Sequence, residues 1–537
     1  YDLYFVNQVG SNQLWRNLGG GKFEDMTAAA GVAMTQPISV GSSFADIDND
    51  GDPDLYVTTV RGGNFLFEND GTGKFRDISA ASGLDYNGYS SAAVFFDFNR
   101  DGLLDLFLTN VGRYTSDMVM TVVNDSTTSG QEAGEFQFYA GFTDAFAGHL
   151  KPERAEQSIL FKNMGNNRFS DVSAQVNLQD KSWSGDASPL DVNEDGWIDL
   201  YVLNMEGHDE YYENVGGKYF VKKSRELFPS TSWGAMGIKV FDYNNDGRMD
   251  IFITDMHSEM SEDIGPAREK LKAEIKYPEA FYRYQGGSNV YGNSFFRKEA
   301  NGEFREISDQ IGVENYWPWG LSVGDLNADG YEDVFIASSM NFPFRYGINS
   351  VLLNNRGQEF LDSEFILGVE PRRGRKTAKP WFELQCSGAD AERRLCEDRS
   401  GDVVFWGALG SRSSVIFDLD NDGDLDIVTN DFNSEPMVLV SNLSERTTVN
   451  FLKVKLTGAV SNRDGLGATV KVRVGSQTFT KVHDGQSGHL SQSLFPLYFG
   501  LGEAKSIDEM EILWPSGRTQ VISGPIGINT LIEVKEQ

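Results

Sequence analysis

The sequence predicts an all-β chain, a seven-bladed β-propeller followed by a small C-terminal β-sandwich or barrel. Three observations lead there. The nonapeptide Asp-x-Asp/Asn-x-Asp-Gly-x-x-Asp occurs six times between Asp46 and Asp426. Short apolar runs of the same type flank each copy. Asp2-Leu3-Tyr4-Phe5-Val6-Asn7 also repeats the end of a seventh copy whose loop is absent. Seven units of about four strands suit a ring, which protects its sheet edges by radial repetition.

The elements follow in order within each unit. Runs of small and apolar residues such as VGSSFAD, SAAVFFD and GIKVFD precede the nonapeptide and read as innermost strands. Runs such as DLYVTT, DLFLTN and DIFITD follow it as second strands. A third and a fourth strand then meet at an Asn-x-Gly-type turn, as in LWRNLGGGKFEDMT and ILFKNMGNNRFSDVS. Short strands with Gly/Asn turns are a hairpin grammar. A short helix is expected only near Pro266–Ile275. Successive nonapeptides start 51, 94, 51, 83 and 93 residues apart, so 51 residues is the basic unit and longer spacings contain insertions. The insertions are expected at 111–157, 255–293 and 364–405, the propeller over 1–444 and the second domain over 445–537. The chain opens inside a repeat, so residues upstream of Tyr1 are expected to have been removed or left out. Between residues 451 and 537, FLKVKLTG, ATVKVRVG, QTFTKVHDG, DEMEILWPSG and TLIEVKEQ alternate like strands.

The nonapeptide has the pattern of a calcium loop. Calcium takes six to eight hard oxygen ligands, and alternate residues of a tight bend can supply them. Positions one, three and five would offer side-chain oxygens: Asp46, Asp48 and Asp50; Asp97, Asn99 and Asp101; Asp191, Asn193 and Asp195; Asp242, Asn244 and Asp246; Asp325, Asn327 and Asp329; Asp418, Asp420 and Asp422. Glycine at position six permits the bend. Backbone carbonyls at position seven (Asp52, Leu103, Trp197, Arg248, Tyr331, Asp424) would add a ligand. The aspartate at position nine (Asp54, Asp105, Asp199, Asp250, Asp333, Asp426) would close each site with both oxygens. Asp-Asn-Gly clusters are also good turns, but a turn alone has no evident need of the ninth-position acid. Magnesium fits less well, because it demands strict octahedral geometry. About six calcium ions are expected, offsetting 12 of the 32 net negative charges.

The 537 residues exceed one ordinary core, and 40% apolar with 12% aromatic content is that of a globular chain. A formal charge of -32 argues against nucleic acid and anionic membrane as partners. No apolar run is long enough to span a membrane. Cys386 and Cys396 stand in one polar loop, where a local disulfide is expected, with two free thiols as the alternative.

The repeats resemble the FG-GAP/VCBS repeats of integrin-α-like propellers. In the tail, Asn462-Arg463-Asp464-Gly465-Leu466-Gly467-Ala468, Gly485-Gln486-Ser487-Gly488, Ser491-Gln492, Phe499-Gly500-Leu501-Gly502 and Trp514-Pro515-Ser516-Gly517 resemble an ASPIC/UnbV domain. Together they resemble the cartilage acidic protein family, which has many bacterial members. The resemblance implies a secreted protein (periplasmic or at the cell surface in a bacterium) that binds calcium and serves adhesion or interaction, with no agreed enzymatic activity. Tyr498, where the family often has histidine, and Leu490, where an aromatic is common, depart from that pattern.

All three insertions are expected on the face opposite the calcium loops, as a recognition surface for a protein or glycan. Tyr89, Trp183, Trp233 and Trp317 lie eight or nine residues before their nonapeptides, with Trp319 and Trp406 nearby. They read either as packing between blades or as an aromatic platform for a ligand. Arg372-Arg373-Gly374-Arg375-Lys376 is either a solvated loop or a dock for an acidic partner. The competing class is an extracellular lyase or hydrolase with its site at the channel mouth. Against it, the five histidines (His149, His208, His257, His483, His489) show no metal-ligand spacing, and no nucleophile motif stands out.

Overall fold

The computed structural model describes residues 1–537 except 9, 35–37, 125–133, 146–150, 206, 257–287, 291, 340–345 and 433. The expected helix at Pro266–Ile275 lies outside the described residues. Elsewhere the chain is nearly all β, and its α-helices are single turns such as Thr27–Ala30 and Ser308–Ile311.

The repeat unit is a four-stranded antiparallel meander. Ser184–Leu190, Asp199–Asn204, Glu210–Val215 and Tyr219–Lys222 pair in sequence order, and so do Pro318–Gly324, Asp333–Ser338, Ser350–Asn354 and Phe360–Asp362. Two repeat sheets carry three strands. They are Leu3–Phe5, Gln13–Gly19 and Lys22–Asp25 at one end, and Gly410–Phe417, Asp426–Phe432 and Val438–Leu439 at the other. Second strands such as Asp54–Val60 and Asp105–Asn110 are buried along their whole length. Both faces of each are covered, so burial does not alternate along them even where Thr58, Thr59 and Thr109 are polar. One shared core packs Phe107 and Leu160 of one sheet with Leu200 and Val202 of the next.

A recurrent hydrogen bond stitches five of the repeat sheets to their predecessors. The third strand of a unit donates a side-chain N–H to the carbonyl at position two of the preceding loop. Asn163 reaches Ile47, Asn214 reaches Phe98 and Asn354 reaches Tyr243, each at 2.8 Å. Lys298 Nζ makes the same reach to Val192. Asn17 donates to Leu419 at 3.1 Å, so the first sheet stands beside the last across 402 residues of sequence.

The tail folds as a sandwich. Leu497–Gly500, Phe451–Thr457 and Thr530–Lys535 form one sheet; Gln477–Val482, Thr469–Val474, Ile507–Leu513 and Thr519–Ile526 form the other. Between them lies an apolar core including Leu452, Val454, Val472, Met510, Ile512 and Trp514.

Candidate metal centres

All six nonapeptides fold alike. In each, the N–H of the glycine at position six donates to the carboxylate at position one, at 2.7–2.9 Å. The glycines have φ between 83° and 103°, the left-handed region that glycine enters without a Cβ clash. Position four is left-handed too, although its residues are Asn49, Arg100, Glu194, Asn245, Ala328 and Asn421. Asparagine, which tolerates this region, holds three of the six positions, whereas Arg100, Glu194 and Ala328 bring no such preference.

The ninth aspartate corrects the expectation that a turn has no need of it. One of its oxygens accepts the backbone N–H of position two at 2.8–3.4 Å. The other accepts an N–H from the end of the unit's third strand at 2.7–2.8 Å. The acid therefore ties the loop to its own sheet. A carboxylate oxygen has a second lone pair, so these bonds leave capacity for a cation.

In two loops the carboxylates converge. Oxygens of Asp46, Asp48 and Asp54 lie within 4.8 Å of one another, as do those of Asp418, Asp420 and Asp426, and either triad can hold a metal ion. In the four loops with asparagine at position three, its amide donates to the carboxylate at position five at 3.0–3.3 Å. Burial, assisted by neighbouring acids, pushes Asp46 up to about 7 and Asp325 up to about 8. Burial likewise pushes Asp54 and Asp250 up to about 8. Groups that resist ionisation next to one another are those a cation stabilises most. Some charge is already balanced by the protein: Lys162 lies 3.1 Å from Asp101, and Arg248 pairs with Asp246.

Residues 1–57, 46–108, 191–253 and 277–336 match the FG-GAP-like repeat family, and residues 458–537 match the ASPIC and UnbV family. The chain is built of FG-GAP-like repeats and ends in an ASPIC and UnbV domain. Among curated proteins it is 30% identical over 118 residues to cartilage acidic protein 1 of Homo sapiens, covering 21% of this chain and 18% of that protein. It is 34% identical over 87 residues to the Mus musculus protein, covering 16% and 13%. The chain thus spans less than a fifth of the curated relatives it matches. Among solved structures, the Bacillus licheniformis rhamnogalacturonan lyase PL11 covers 98% of this chain and 81% of its own at 12% identity and a TM-score of 0.31, a likeness too low to speak to function.

The ASPIC and UnbV domain docks on the loop side of the FG-GAP-like repeats. Arg463 N–H donates to Asn49 at 2.7 Å, the Tyr498 hydroxyl donates to the Gly423 carbonyl at 2.9 Å, and Lys481 pairs with Glu332. Its segment 484–493 enters the centre of the repeats. Ser491–Gln492 adds a parallel strand to Ile38–Ala45. The Gln492 amide exchanges two hydrogen bonds with the Phe95 backbone, at 2.7 and 3.1 Å. Asp484 pairs with Lys239 at 2.7 Å. Leu490 packs among Ala92, Val94 and Ala187, a burial worth about 2 kcal/mol. A Cβ on Gly41 would stand 2.6 Å from the Leu490 carbonyl, so this close approach requires glycine. A sequence without apolar periodicity across 484–493 carries no signal for such an insertion.

The remaining candidates are distributed as follows. Tyr89, Trp183, Trp233 and Trp317 are buried, and Tyr89 stacks edge-on with Tyr114 at 5.1 Å. Trp319 is covered by the Arg412 guanidinium at 3.6 Å and bonds the Ser339 carbonyl. Trp406 alone of the six is well exposed, at 56%. It stands on the hairpin Ala378–Gln385/Asp402–Ala408, whose loop contains a Cys386–Cys396 disulfide. Arg372 is buried and pairs with Asp431, while Arg373, Arg375 and Lys376 are exposed. His149 and His257 lie outside the described residues. Loss of solvent lowers His208 and His483 to about 4 and His489 to about 3, so all three are neutral at pH 7. Among the described residues no helix is long and apolar enough to cross a membrane.

Proposed function

We propose that the chain is a secreted, calcium-loaded propeller of seven blades over 1–444, carrying its second domain over 445–537, and that it acts as an adhesion or scaffold module for a protein or glycan. The observation that carries this reading is the division of labour between the two ends of the repeats. The aspartate loops and the docked tail occupy one end. At the other, the hairpin Thr115–Asn124/Gly134–Gly141 touches the hairpin Ala378–Gln385/Asp402–Ala408. Two long insertions that meet there form a built surface, and loops held on a rigid frame are where recognition concentrates. Calcium in all six loops is supported by their common fold and by the two carboxylate triads. Secretion is supported by the disulfide, since such bonds persist in oxidising compartments. The Asn17–Leu419 stitch supports a closed ring of seven.

The test is binding of the purified chain to immobilised glycans and extracellular-matrix proteins, with and without calcium, alongside Trp406→Ala. The expected result is saturable, calcium-dependent binding weakened at least tenfold by Trp406→Ala with an unchanged melting temperature. Binding indifferent to Trp406, and retained by the calcium-free chain, would contradict the assignment of this face.

A further inference from the structure

Residues 372–379 carry five cationic side chains and no acid, in a chain whose Asp and Glu outnumber its Lys and Arg by 79 to 47. The first of them fixes the course of the segment. Arg372 is buried, where its guanidinium pairs with Asp431 and donates to the Tyr346 hydroxyl at 2.8 Å and the Ser411 hydroxyl at 2.9 Å. The turn over Arg373–Arg375 is thereby anchored, and Arg373, Arg375 and Lys376 are exposed on it. Among the described residues none of these three pairs with a carboxylate.

The cations continue into the face that carries Trp406. The Leu409 N–H donates to the Thr377 carbonyl at 2.9 Å, which extends the pairing of Ala378 with Ala408 by one residue. Alternate residues of a strand point the same way, so Lys376, Ala378 and Pro380 share one side, with Trp406 opposite Pro380. About 13 Å of strand separates Lys376 from that pair. Val404 is exposed on the same side. The reverse side is closed, because Phe405 stacks on Phe382 at 5.1 Å and packs with Leu384, Cys386 and Cys396. Glu383 and Asp402 lie farther along the hairpin, so its charge runs from positive at the root to negative at the tip.

We propose that this face binds an acidic polysaccharide of the uronic-acid class, with one ring stacked on Trp406 and neighbouring carboxylates held by Arg373, Arg375 and Lys376. The inference rests on the recognition reading of the insertion face and names its ligand. An indole that is 56% exposed offers a flat apolar surface, and the C–H groups on one face of a pyranose cover it without stranding a polar group. A neutral glycan would use the indole and leave the cations idle. Guanidinium forks take carboxylates in bidentate hydrogen bonds, and a uronate supplies one carboxylate per ring. An acidic peptide fits less well, since an extended peptide draws its specificity from pockets for alternate side chains. Ala378, Pro380 and Trp406 present an open strand face instead. The charge gradient orients the bound chain, with its carboxylates at the root of the hairpin and repelled from Glu383 and Asp402 at the tip.

The probes are a β-1,4-linked glucuronate hexamer and cellohexaose, which differ only in the carboxylates, together with polyglutamate, each titrated calorimetrically into the full chain in calcium. The glucuronate hexamer should bind saturably, and cellohexaose should bind at least roughly tenfold more weakly. Trp406→Ala and the triple change Arg373→Gln, Arg375→Gln, Lys376→Gln should each weaken the hexamer roughly tenfold at an unchanged melting temperature, because all four side chains are exposed. Glutamine keeps a Cβ at position 375, where φ is 54°, so the triple change removes charge without altering the demand on the backbone. Raising the ionic strength should weaken the hexamer and leave cellohexaose unaffected. Cellohexaose bound as tightly as the hexamer, and lost in Trp406→Ala, overturns the acidic ligand and keeps the recognition face. Polyglutamate bound more tightly than the hexamer, and lost in the triple variant, overturns it in favour of an acidic peptide. A hexamer that fails to bind, or that binds all variants equally, overturns it too; matrix proteins or other glycans that still bind through Trp406 would then keep the face itself.

Discussion

The loops at Asp46–Asp54 and Asp418–Asp426 differ at only two of nine positions, Ile47 against Leu419 and Pro53 against Leu425. Both gather three carboxylates within 4.8 Å. Yet the tail domain presents opposite charges to them. Asp464 accepts the Asp46 N–H at 2.8 Å and adds a further acid beside the first loop. Lys453 places its ammonium on Asp418 in the second. The same local sequence therefore sits in two electrostatic settings, and the difference is made by tail-domain residues, Asp464 lying 418 positions from Asp46 and Lys453 only 35 from Asp418. It teaches that loop sequence sets the capacity for a cation, while the docked domain sets how strongly each loop needs one.

The comparison breaks most forcefully when every loop is emptied at once. Removing calcium should lower the melting temperature by on the order of 10 °C, read by calorimetry. The metal-free chain should also acquire a pH dependence. Burial raises Asp46 to about 7 and Asp54 to about 8 in the folded state, against about 4 when unfolded. Between those values the folded chain holds more protons than the unfolded one, so stability falls as pH rises from about 4 to about 8. Calcium should flatten that slope, and a slope unchanged by calcium would mean the loops are plain turns.

Next in size is the double role of the ninth aspartate. Asp54→Ala strands two backbone donors, those of Ile47 and Asn69, and should cost about 2–4 kcal/mol even without calcium. Asp54→Asn keeps one acceptor oxygen and should cost less than half as much in the metal-free chain, while losing calcium at that loop. Chemical denaturation of both variants, with and without calcium, separates the structural role from the ligand role.

The smallest effects bear most closely on the two settings. Lys453→Met should tighten calcium at the Asp418 loop by roughly fivefold, since the ion no longer displaces an ammonium. Asp464→Asn should weaken calcium at the Asp46 loop by a similar factor. Site-resolved titration by NMR of the loop glycines Gly51 and Gly423 reads both. Equal effects of the two changes on both loops would remove the distinction.

These contrasts also mark how far the sequence could be read. The strands, the loops and the tail sandwich were legible because each rests on local patterns: apolar runs, glycine at position six, and alternation from Phe451 onward. The backbone duty of the ninth aspartate was not, because its partners at Asn69 or Asn354 lie a full hairpin away. Trp183 and Trp317 have the composition of a ligand platform and are buried, which spacing along the chain cannot distinguish. Segment 484–493 is polar and aperiodic, and its contacts with Lys239, Phe95 and Ser42 exist only in the assembled ring. Strands Leu497–Gly500 and Thr519–Ile526 carry glycine, proline or serine that hide their periodicity.

The central claim is that the recurrent aspartate loops are cation sites. Metal analysis of the calcium-equilibrated, dialysed chain tests it most directly. About six calcium ions per chain are expected from one ion per loop. One ion or none would contradict it.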